Sequence, residues 1–255
     1  MRRILLAALL ASAAALPAAA QTAPAGGYDA IFTIGGGGRY QPSWDGAKDY
    51  TLVPFPIVGL KFLRSPFTGQ PTADTGFGIR PAFRVLDKRS FKPGDVLFGL
   101  DKVDMAVELG VQVDYTDTWF RVFAEARQGF GGHTGQILDL GVDGIWHATK
   151  DLTFAAGPRL SFASAKYMDT YFGVTPAESV LTGLATYKPG GGFRGAGLGG
   201  TATWDIGNNW LVRADASWTH LSDAAASSPI VKADGSRDQF TVGLGAAYRF
   251  GVNWR

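Results

Sequence analysis

His220-Leu221-Ser222 is the stretch of this sequence best placed for catalysis. On an extended strand, residues i and i+2 share one face, so a base and a nucleophile would stand side by side. A serine nucleophile needs an adjacent base, and that base needs an orienting carboxylate. Asp223 and Asp238 are near in sequence, but spacing alone places neither. The expectation is therefore a polar strand end rather than a catalytic pair. His133 sits in GGHTG and reads as a turn residue, and His147 stands apart. The three histidines show no metal-ligand spacing. The chain has no cysteine, which excludes disulfides, thiolate metal sites and a Cys nucleophile. No catalytic, metal or cofactor-binding residue is expected.

The elements that carry these side chains are extended. In FTVGLGAAYRF, Phe240, Val242, Leu244, Ala246, Tyr248 and Phe250 fall on one parity, with small or polar residues on the other. A period of two means a strand. The same grammar recurs in segments of about ten residues, the signature of a transmembrane β-barrel. Length, glycine content (35 residues) and 13% aromatics suit such a barrel. Past residue 20 no stretch offers the ~18 consecutive apolar residues of a spanning helix. In lipid every backbone polar group must be paired, and only a helix or a closed barrel does that.

The first twenty residues read as a leader. Arg2 and Arg3 precede a short apolar run, Ile4 to Leu16, and Ala18-Ala19-Ala20 forms an A-x-A site. Export and cleavage after Ala20 are expected, leaving residues 21–255 as one barrel domain. The chain has 24 Lys+Arg; without Arg2 and Arg3, 22 remain against 22 Asp+Glu. A balanced chain lacks the basic face that nucleic acid needs.

The fold class expected is all-β: an antiparallel outer-membrane barrel of about ten strands. They lie near 28–38, 50–62, 77–85, 105–115, 120–127, 138–146, 152–162, 193–206, 210–220 and 240–250. Pro54 and Pro56 share a parity, so irregular pairing is expected there. Thr116–Thr118, Thr149–Asp151 and Gly207–Asn209 read as short periplasmic turns; 39–49, 87–102, 165–192 and 221–236 read as longer outer loops. The 131–135 loop is short for its side and 63–76 is long, so an extra hairpin in 60–90 would make twelve strands.

The inward parity collects both signs of charge: Arg80, Arg84, Glu108, Asp114, Arg121, Glu125, Arg127, Asp139, Asp143, Arg159, Arg213, Asp215 and Arg249. Charges confined in a narrow lumen must pair, so they read as structural fill; a small polar pore is the other reading. Trp44, Trp119, Trp146, Trp204, Trp210, Trp218 and Trp254 mostly fall near strand ends, as in an interfacial aromatic belt. The 165–192 loop holds Tyr167, Tyr171, Phe172 and Tyr187, with Thr175 and Pro176 placed as N-cap and N1 of a short helix. It reads as a plug folded into the barrel mouth; a surface that meets partners is the other reading. Gly235 suggests a tight turn in the last loop.

Three stretches carry a family resemblance: GGGGRYQPSWDGAKDYTLVPFPIV near the start, RQGFGGHTG with GPRLSFASAKYMDTYFGVTP in the middle, and SSPIVKADGSRDQFTVGLGAAYRF at the end. On these the chain resembles the MltA-interacting protein/outer-membrane protein V (MipA/OmpV) family. The resemblance implies a barrel without known catalysis in the outer membrane of a Gram-negative bacterium. It also implies a scaffolding role, holding a lytic transglycosylase together with a murein synthase of the penicillin-binding protein class. Family members are further linked to envelope stress and antibiotic response. The docking surface expected for such partners is Arg64 to Ala73, the longest inner connection. The alternatives are a narrow channel for small polar solutes or antibiotics and, more weakly, a lipid-modifying hydrolase at His220 and Ser222.

Overall fold

The computed structural model describes residues 28–63 and 75–253. The leader, the Arg64–Ala73 connection and Trp254 lie outside them. Ten strands form one sheet: β1 (Ala30–Pro42), β2 (Tyr50–Leu63), β3 (Gly76–Leu86), β4 (Ala106–Thr116), β5 (Phe120–Gly131), β6 (Gln136–His147), β7 (Leu152–Ala163), β8 (Gly192–Gly207), β9 (Trp210–Leu221) and β10 (Asp238–Val252). Each strand from β3 to β10 pairs antiparallel with the next, β10 returns to β1, and β1 pairs with β2. The sheet thus curls into a nearly closed barrel. Its last seam brings β2 beside β3. No ladder joins these two among the described residues. Gln41 Nε2 donates to the Val85 carbonyl at 2.9 Å and the Thr51 hydroxyl reaches Asp87 at 3.4 Å across the seam. Ten strands are described, with no extra hairpin among the described parts of 60–90.

The alternation follows from the two solvents of the wall. Ile79, Val111, Val113, Leu198, Val242 and Leu244 project outward and are exposed, as an apolar lipid-facing surface requires. Pro54 and Pro56 fall on the outward parity and pair with Gly38 and Gly36. The expected irregularity is not at these prolines. The β1–β2 register shifts instead at Ile31/Phe32. A Cβ on Gly37 would lie 1.9 Å from the Leu244 carbonyl oxygen, so only glycine permits this approach of β1 to β10.

The outer end carries the long connections and a second core. Within 164–191 fold α1 (Ala165–Phe172) and α2 (Pro176–Thr182); within 222–237 fold α3 (Asp223–Ala226) and α4 (Pro229–Asp234). The sequence pattern did not announce α3 and α4. Gly235 is not in a turn: it ends α4 in an extended conformation, and a Cβ there would meet the Gly46 carbonyl oxygen at 2.4 Å. Tyr167, Met168, Tyr171 and Phe172 of α1 are fully buried, packed with Trp44, Leu86, Leu97, Leu221, Ile230 and Val231. The 165–192 loop is therefore part of a cap over the barrel mouth, as the plug reading expected. Ser228 donates to the Phe172 carbonyl (2.7 Å) and Arg89 to the Tyr171 carbonyl (3.1 Å). Gln239 of β10 ties the 43–49 loop to the wall, accepting from Gly46 N and donating to the Ala47 carbonyl.

Thr175 caps α2, with Pro176 at its first position and Glu178 completing a capping box. Burial acts to raise the Glu178 carboxyl. Hydrogen bonds from the backbone N–H groups of Thr175 and Asp101, and from the Thr175 hydroxyl, outweigh it and hold the group below its ordinary value of 4.5.

Two predictions follow from the cap. Phe172→Ala removes a fully buried ring and is expected to cost about 3–5 kcal/mol in urea unfolding in lipid vesicles. Val180→Ala, on the exposed face of α2, changes stability by less than about 0.5 kcal/mol. Because the folded Glu178 value is depressed, its contribution is complete above pH 4.5 and is lost as pH falls through the lower folded value. Amide exchange of Ser179 and Gly183, corrected for intrinsic rate, should speed up on acidification. In Glu178→Gln that pH dependence should vanish; the same dependence in both proteins would contradict the assignment.

Candidate functional site: a charged lumen beneath an outer cap

All thirteen charged residues assigned to the inward parity lie on strands whose opposite parity faces lipid. Eleven of the thirteen pair, in two tiers; Arg84 and Arg213 have no ion pair or hydrogen bond among the described residues. In the upper tier Arg127 is the hub. Its Nε donates to Glu108 at 2.8 Å, one Nη to Asp139 at 2.5 Å, and the other to Glu125. Glu108 is wholly buried and also faces His133 Nε2 at 3.3 Å. His133 is a turn residue, as expected, but it is buried: it stacks edge-on against Tyr167 and Tyr171 of the cap and accepts from Gly135 N. Beside it, Arg194 donates to both oxygens of Asp45 (2.7 and 2.9 Å) and to Ser161, while the Tyr167 hydroxyl donates to Asp45 at 2.9 Å. These bonds fasten the cap to the wall.

In the lower tier, Arg121 and Arg159 share the buried carboxylate of Asp143, each at 2.6 Å. The Phe123 ring lies against both guanidinium groups, 5.2 and 4.9 Å from centroid to carbon, and rests over Gly141. Arg39 pairs with Asp215 and Arg80 with Asp114, each at 3.1 Å. Toward the periplasmic end, Phe55, Ile57, Leu211 and Ala247 fill the interior with apolar side chains, and Arg249 pairs with Asp205. Between the tiers a cavity of about 290 Å³ remains, lined by seven arginines, Arg39, Arg121 and Arg213 among them, and by the four carboxylates of Asp45, Glu125, Asp139 and Asp215.

Arg39, Asp45, Arg194 and Asp205 join the lumen network although the inward parity did not single them out. Arg39 follows four glycines, whose missing side chains hide the alternation. Asp45 belongs to an outer loop. Trp44 is buried in the cap and is no belt residue; Trp119, Trp146, Trp204 and Trp210 are exposed near the periplasmic turns.

His220 and Asp238 form a cross-strand pair, Nδ1 to Oδ1 at 2.8 Å, and Trp218 Nε1 donates to the same oxygen. Ser222 does not complete a triad. It is the N-cap of α3, its hydroxyl accepting from Ala225 N, and no hydrogen bond links it to His220. Asp223 is held by Arg237 at 2.6 Å. Among the described residues no three His, Asp or Glu side chains are grouped to hold a metal ion.

A nearly closed antiparallel wall, an apolar exterior and a charged interior define an outer-membrane β-barrel protein. The model of the MltA-interacting protein MipA family matches residues 34–250, so the chain belongs to that family. It is 32% identical to outer membrane protein OmpV of Vibrio cholerae over 161 residues, covering 60% of this chain and 57% of that protein. It is 27% identical to the 24 kDa outer membrane protein of Pasteurella multocida over 191 residues, covering 73% of this chain and 67% of that protein. The chain thus spans little more than half the length of the first relative. Among solved structures, the NanC porin is similar at 8% identity and a TM-score of 0.38, covering 86% of this chain and 98% of that one. OmpT of Vibrio cholerae is similar at 10% identity and a TM-score of 0.33, covering 87% and 97%. Likenesses this slight add nothing to what the strand ladder itself shows.

Removing the hub arginine leaves three carboxylates facing one another. Arg127→Gln is expected to destabilise the barrel by about 3–5 kcal/mol in urea unfolding. Arg249→Gln, at a partly exposed pair near the periplasmic end, should cost less than about 1 kcal/mol. Equal effects would contradict the hub.

Proposed function

We propose that this outer-membrane barrel is a non-enzymatic scaffold that brings murein-remodelling enzymes, a lytic transglycosylase and a penicillin-binding protein, together at its periplasmic face. The observation that supports this most is the filled interior. A cap with its own apolar core covers the outer mouth, and ion pairs and apolar side chains occupy much of the lumen. A barrel closed in this way works through its surfaces. The family's description, MltA-interacting protein, names a binding partner for its namesake and supports the same reading. Export with removal of Met1–Ala20, and a single domain from residue 21, belong to the proposal, as does docking at Arg64–Ala73.

The polar cavity of about 290 Å³ favours a second reading, a narrow channel for small polar solutes or antibiotics. The lipid-hydrolase reading loses its nucleophile to the cap of α3, since Ser222 is not bonded to His220.

Cross-linked cells provide the test: the protein is purified in detergent and its companions are identified by mass spectrometry. Enrichment of a lytic transglycosylase or a penicillin-binding protein over an unrelated barrel is expected. Deletion of Arg64–Ala73 should abolish that enrichment while the barrel still assembles. A preparation free of murein enzymes would overturn the scaffold, and retained enrichment in the deletion variant would overturn its placement.

A further inference from the structure

The lower tier of the lumen is unevenly charged. Arg39, Arg80, Arg121, Arg159 and Arg213 come from β1, β3, β5, β7 and β9, one from each strand that rises toward the cap. Only three carboxylates answer them: Asp215 on Arg39, Asp114 on Arg80, and Asp143 shared by Arg121 and Arg159. Arg213 is left over. Among the described residues it has no ion pair or hydrogen bond, and its Nε is buried. Arg39, Arg121 and Asp215 line the same cavity as Arg213. Buried cations gathered without matching anions are unfavourable. Four of the five arginines line the cavity of about 290 Å³, whose size lies at the lower end of ligand sites, roughly 300–1,000 Å³.

We propose that this cavity is a binding site for a small, multiply charged oxyanion, held through Arg213 with Arg39 and Arg121 beside it. A guanidinium offers a planar fork of donors that fits carboxylate and phosphate oxygens equally well. The Phe123 ring and Gly141 keep Arg121 and Arg159 facing the cavity rather than folding onto the wall. The site is separate from the periplasmic turns, so it and the scaffold can each fail without the other.

Titration calorimetry of the full-length protein in detergent, at low chloride, tests this with inorganic phosphate and citrate as probes. Saturable binding of at least one probe is expected, and the better one identifies phosphate or carboxylate as the preferred head group. Arg213→Gln should weaken it about tenfold or more, and Arg249→Gln, outside the cavity, should leave it unchanged. Heat-modifiable gel mobility confirms that each variant is folded. If Arg213→Gln does not fold, Arg213→Lys keeps the charge but loses the fork, and is expected to weaken binding severalfold. Absence of saturable binding to the wild-type barrel up to about 10 mM of either probe would overturn the proposal. So would wild-type affinity in the folded Arg213 variant.

Discussion

Lipid on one side of a wall one residue thick is the constraint on which the rest of this structure depends. A strand that crosses the bilayer has only two faces. The outward parity must be apolar across the bilayer core, so the charges carried there go to the interior. Inside, charges are far from bulk water and must find partners. The Arg127 hub, the Arg121–Asp143–Arg159 triplet and the Arg39–Asp215 pair are consequences of that confinement. They cross-link strands from within, and the Arg39–Asp215 pair reaches from β1 past β10 to β9.

The same confinement explains the cap. Loops at the outer end are long enough to build α1 to α4, and together they bury an apolar cluster that no single loop could form. The cap is not merely laid over the mouth. Tyr167 reaches down to Asp45, Arg194 reaches from β8 to the same carboxylate, and His133 turns inward beneath Tyr171. Cap and lumen are therefore one packed unit. Together the cap and the paired and apolar side chains obstruct the lumen.

Much of the barrel was legible because period-two alternation is a strong signal wherever side chains are large. It placed ten strands, the short turns and thirteen inward charges. It faded where side chains vanish: the glycine run of 35–38 hid the outer end of β1 and with it Arg39. It carried no information about loops. Asp45 and Trp44 took their roles from tertiary packing, and α3 and α4 arise from four- and six-residue segments too short to show a helical period. His220 and Ser222 show the limit of local spacing. Two residues on one strand face were expected to be neighbours, but the strand ends at Leu221 and Ser222 turns away to cap a helix.

Conductance of the purified wild-type protein in planar bilayers tests most directly whether this is a closed body rather than a pore. No steady open-pore current is expected, because the cap and the paired lumen obstruct the path. A stable ohmic current from the intact wild-type barrel would contradict it and make the channel reading the correct one.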